Sequence, residues 1–166
     1  MDVAGCLVLL DDQDRAKWDH DMIDEGVSVL EGAMALRRPG PYQVQAAIAS
    51  VHAGAPRPED TDWPQIVALY GALVRMTPSP VVELNRAAAV AMADGPAVGL
   101  QLMDGLVARG ELDDYEPLHA ARADLLRRLG RTEEAAAAYR RALEFATNPV
   151  ERRFLEGRLE ECTRDG

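Results

Sequence analysis

Positive charge is scarce in this sequence: Lys and Arg total 18 against 28 Asp and Glu, for a formal net charge of -10. Such a chain lacks the cations that displace counterions from a phosphate backbone, which excludes direct DNA binding as its task. Aromatic residues make up only 5% of the chain. A β-sandwich, which needs aromatic and β-branched strands, is excluded with them. There are two cysteines, Cys6 and Cys162, near opposite ends and without a partner at metal-ligand or redox-motif spacing. No disulfide framework follows, and reduced thiols in a cytoplasmic protein are expected. The longest apolar run at the start, "CLVLL" at 6–10, is far short of the roughly 20 residues of a membrane span.

What the sequence has in quantity is alanine and helical periodicity. Apolar residues recur three and four apart at Ile23, Val27, Leu30 and Met34, at Val44, Ala47, Ile48 and Val51, and at Ile66, Leu69, Tyr70 and Leu73. The spacing continues through Leu84, Ala88 and Ala91, then Leu118, Ala121, Leu125 and Leu129. It ends with Ala135, Tyr139, Ala142 and Leu143 and with Leu155, Leu159 and Cys162. Each stripe is one face of an amphipathic helix, and the chain reads as all-α with about eight helices. With 166 residues the chain can hide about 70% of its unfolded surface, enough for one real core.

Helix boundaries are marked by residues that start or stop helices for physical reasons. Ser79-Pro80 and Asn148-Pro149 each put a capping side chain before a proline, whose missing N–H costs nothing at a first helical position. Glu151 completes the sequence pattern of a capping box with Asn148. Gly110 and Gly130 suit the left-handed residue that closes a helix. The stretch "AGAPRPEDTDW" at 53–63 carries Gly54, Pro56 and Pro58 and is expected to stay non-helical until Asp62 caps the next helix.

The turn glycines also recur. Gly130 in "RLGRTEEAAAAY" has a counterpart at Gly95 in "AMADGPAVGLQL", and a looser one at Gly54. The separation of the first two is close to the roughly 34 residues of a helix-turn-helix repeat. The best copy, "ARADLLRRLGRTEEAAAAYRRALEFATNP", resembles a tetratricopeptide repeat, with its Leu-Gly, Tyr, Ala-Leu and closing Pro149. Ala123, Ala135 and Ala142 suit the close approach of two helices. The expected fold is a right-handed α-solenoid of about three such hairpins with flanking helices over 19–166, preceded by an acidic extended segment over 1–18.

Further segments carry a more specific resemblance. The order "DQDRAKWD" (12–19), "RPGPYQVQAAIA" (38–49), "DTDWPQIVALY" (60–70) and "PSPVVELNRA" (78–87) is similar to the C-terminal extension of extracytoplasmic-function RNA polymerase sigma factors, group 42. The resemblance implies a regulatory domain that binds the sigma factor's own promoter-reading domains or the polymerase core. Neither promoter-reading domain is present here, so a C-terminal fragment is expected, bacterial and cytoplasmic. A stand-alone adaptor that binds a partner's peptide is the rival reading.

Candidate contact residues are then Asp12, Asp14, Arg15 and Trp18 in the acidic turn, and Asn85, Arg86, His119 and Arg122 on the helices expected to line the concave face. For the acidic turn the simpler alternative is a helix cap favoured by the dipole of a helix starting near Asp19. For the others it is ordinary interhelical hydrogen bonding. A calcium loop beginning at Asp12 fails, because Lys17 and Ile23 stand where Gly and Glu are required. The histidines His20, His52 and His119 are scattered, with no nucleophile or carboxylate at relay spacing. The expected mode of action is binding, with no catalytic residue, metal or cofactor.

Overall fold

The computed structural model describes residues 13–34 and 40–164. Asp12, Cys6 and the "CLVLL" run lie outside them. Among the described residues there are eight α-helices and no strand: α1 His20–Met34, α2 Pro41–Gly54, α3 Trp63–Met76, α4 Pro80–Ala93, α5 Pro96–Arg109, α6 Glu116–Arg128, α7 Thr132–Phe145 and α8 Pro149–Arg164. Short 3-10 turns occupy Arg15–Lys17 and Pro58–Asp60. None of these helices is long and apolar enough to cross a membrane. The described residues divide into two compact units, one ending at Ala89 and one beginning at Val90.

In the first unit α2 packs on both α1 and α3. Val44, Ile48, Ile66, Leu73 and Ala89 form its buried core, with Val51, Trp63, Leu69, Tyr70 and Val82 packed around them. Asp19 caps α1, its Oδ1 accepting the Met22 N–H at 3.0 Å, and Asp62 caps α3 by accepting from Gln65 N–H at 2.9 Å. The stretch 53–63 departs from the expected open loop. Helix α2 continues through Gly54, and the prolines set a 3-10 turn in which Arg57 is paired with Asp60. Trp63 is half-buried, edge-on to the His52 ring with centroids 5.0 Å apart, so it pins this connection.

In the second unit α6 packs against α5 and α7, and α7 against α8. The α6–α7 turn is a Schellman motif: Gly130 sits at φ 72°, its N–H donates to Arg127 O at 3.0 Å, and Arg131 N–H donates to Leu126 O at 3.0 Å. Gly110 closes α5 in the same left-handed region, at φ 68°. Ala123, Ala135 and Ala142 are fully buried, as small residues at a close helix contact should be. Tyr139 is buried among them, whereas Leu129 stands 36% exposed because it caps α6 rather than extending its stripe. Ala88 likewise faces solvent. Both proline starts occur at Pro80 and Pro149. At Asn148 the side chain accepts from Val150 N–H at 2.9 Å, while Glu151 makes no reciprocal bond.

Candidate functional site

The acidic turn of the first unit is built around a buried arginine. Asp14 Oδ1 accepts the Ala16 N–H at 3.2 Å and so starts the 3-10 turn that presents Arg15 inward. Arg15 as a whole is only 5% exposed. It donates to the carbonyls of His52 at 2.9 Å and Ala55 at 2.7 Å, and to Thr61 Oγ1 at 3.3 Å. Trp18 lies beside it, its ring centroid 5.2 Å from the guanidinium carbon. A single side chain therefore joins the N-terminal turn, the end of α2 and the approach to α3. The carbonyls at a helix end have no intrahelical donor, and a guanidinium with several N–H groups satisfies them from outside.

Of the residues expected in this turn, Arg15 is thus turned inward. Asp14 is exposed and Trp18 is half-buried, and both remain at the surface. Next to them Trp18, Asp19, Met22, Ile23 and Ala53 line an open, mainly apolar groove of about 420 Å³. Met22 is 68% exposed there.

The expected concave-face residues fall in both units, Asn85 and Arg86 in the first and His119 and Arg122 in the second. Asn85 on α4 is exposed and Arg86 half-buried. Arg122 on α6 pairs with Asp104 on α5, Nε to Oδ1, at 2.6 Å. His119 is buried, and its Nε2 donates to the Asp113 carbonyl at 2.8 Å. Its ring stacks on Phe145 of α7 with centroids 5.8 Å apart, and Arg141 lies 4.4 Å over the other ring system of that stack, Phe145. Arg141 also donates to the Asp113 carbonyl at 3.4 Å. His119 and Arg122 therefore tie α6 to its neighbours.

Sequence reasoning missed a second cleft, between α6 and α8. Glu116, Pro117, Ala120, Glu151, Phe154 and Leu155 line about 210 Å³. Phe154 is half-buried there, not turned fully inward with Leu155. Burial pushes the Glu116 carboxyl above its ordinary value, and the negative charge of Glu151 adds to the shift. The signal was present in the sequence as two glutamates, each in the first turn of a proline-started helix.

No protein-family model and no solved structure matches the chain. An uncharacterized protein of Rhizobium meliloti (strain 1021) is 48% identical over 159 residues. That stretch covers 96% of this chain and 37% of the relative, so the chain spans little more than a third of the relative's length.

Proposed function

We propose that the chain is a regulatory, protein-interaction domain of an extracytoplasmic-function RNA polymerase sigma factor, working in the cytoplasm by binding and not by chemistry. Its helical hairpins are read as tetratricopeptide-like units of a right-handed solenoid. The partners are the promoter-reading domains of the same sigma factor or the polymerase core, and DNA is not contacted by this part.

The observation that carries the reading is the convergence at Arg15. The resemblance rests on segments distant in sequence, and three of them supply this one hydrogen-bonded cluster. "DQDR" gives the arginine, the helix begun by "RPGPYQVQAAIA" ends at the His52 and Ala55 carbonyls, and "DTDW" gives Thr61. That segments distant in sequence, or the residues directly following them, meet at one guanidinium supports reading them as parts of one structural unit. The acidic charge supports a basic partner surface, since opposite charge steers association.

Calorimetric titration of this chain with the promoter-reading region encoded in the same gene, at low and high salt, tests the proposal. Binding that weakens with salt supports it. Absence of binding at both salts, with polymerase core also inert, removes it.

A further inference from the structure

The α6–α8 cleft combines an apolar floor with negative charge that nothing in the second unit balances. Pro117, Ala120, Phe154 and Leu155 supply the floor, and Glu116 and Glu151 stand at it from the first turns of their helices. Several other acidic side chains of this unit take an arginine: Asp104 with Arg122, Asp124 with Arg127, Glu134 with Arg131, Glu144 with Arg141, Glu156 with Arg152, and Glu161 with Arg158. Described acids without one, such as Glu133 and Glu160, are exposed rather than set at a cleft. Among the described residues Glu116 and Glu151 have no such counterion and accept no hydrogen bond. Each helix start contributes only about half a positive charge, which two full negative charges outweigh.

We infer that this cleft receives a lysine or arginine side chain from a basic, amphipathic peptide segment of a partner protein. The methylene stem lies along Pro117, Ala120 and Phe154, and the cationic head sits between Glu116 and Glu151. A volume of about 210 Å³ suits one long side chain. It is below the roughly 300 Å³ at which small-molecule pockets begin. The burial that disfavours the Glu116 carboxylate is offset by an entering cation, which favours binding in the cleft over mere surface attraction.

The inference rests on the proposed function only in taking the partner to be basic. Its test uses the isotopically labelled full chain and a capped helical peptide with arginines and leucines along one face, beside a twin carrying glutamine for every arginine. The expected result is saturable binding of the arginine peptide alone, with NMR shifts centred on Glu116, Ala120, Glu151 and Phe154. The E116Q/E151Q variant should bind about tenfold more weakly, the size of one lost charge-assisted contact. The E133Q/E160Q variant removes the same charge from exposed positions of the same unit and should bind as the parent does. Far-UV circular dichroism checks that both variants fold.

Equal weakening in the two variants, shifts scattered over the acidic surface, or equal binding of the glutamine twin would overturn the inference. The salt-dependent titration with the promoter-reading region reads the proposed function separately, so either can fail while the other stands.

Discussion

Arg15 donates a 2.7 Å hydrogen bond to the carbonyl of Ala55, a partner forty positions away in sequence. The bond is buried, and it is one of three that the same guanidinium makes. The Arg15→Ala variant should lose about 2–4 kcal/mol, because truncation leaves buried carbonyls without donors. Arg15→Lys keeps the charge but cannot span three acceptors, and should recover less than half of the loss. Both tryptophans of the chain, Trp18 and Trp63, lie in the first unit. Urea unfolding followed by tryptophan fluorescence therefore reads this unit selectively, and an unchanged midpoint for Arg15→Ala would refute the role given to Arg15.

Gly130 offers a test of the α6–α7 turn. A Cβ built there meets nothing within 4 Å, so a substitution is opposed by backbone conformation alone. Gly130→Ala should cost about 1 kcal/mol, and Gly130→Asn less, since asparagine tolerates the left-handed region. Thermal unfolding monitored by far-UV circular dichroism resolves the order of the two.

At Ala142 the opposition is steric. With no exposed surface at this residue, nothing gives way to a larger side chain without displacing the α6–α7 contact. Ala142→Leu should destabilise by about 1–3 kcal/mol. Leucine is close to alanine in helix propensity, so a chain that tolerates it without loss would mean that the helices are not closely packed at this point.

The Arg122–Asp104 pair, with side chains 25% and 44% exposed, should couple by no more than about 1 kcal/mol in a double-mutant cycle. The coupling should shrink in high salt. A larger and salt-insensitive value would show that the pair is more than a surface strut.

Glu116 predicts a pH dependence. Its folded-state value is raised above 4.5 by burial and by Glu151, so the folded state holds its proton more tightly than the unfolded chain does. Stability from this group is then present at low pH and declines as pH rises from about 4.5 through the raised value. Glu116→Gln should abolish that decline and Glu151→Gln should reduce it, read as unfolding midpoints across the window. Tyr139 acts in the same direction at the alkaline end. Burial raises its hydroxyl above 10.0, so stability falls as pH climbs past that value.

How far the sequence could be read depended on whether the governing interaction was local. Asp62, Asn148, Gly110 and Gly130 act within a few residues of themselves, and their roles follow from residue type and position. The alanines at 123, 135 and 142 were legible because helical period and side-chain size suffice to place them. Arg15 was not, because a charged residue between aspartates reads as solvated. Its acceptors are main-chain carbonyls, which every residue carries and no pattern marks. For His119 the sequence left a groove contact and interhelical hydrogen bonding both open, and the bond found goes to the carbonyl of Asp113, which no pattern marks either. The α6–α8 cleft exists only once the fold brings the starts of the two helices to one place, and Glu151, three residues after Asn148, suggested a capping box that the structure does not close.

Arg15, Arg141 and Arg152 each donate to main-chain carbonyls, the last to Leu143 at 3.1 Å and Ala146 at 3.4 Å. Others face the carboxylates of near neighbours on their own helix. A chain with few cations thus turns several of them toward itself. An anionic group approaching these guanidinium groups meets donors already engaged, and must displace an internal acceptor to gain a contact.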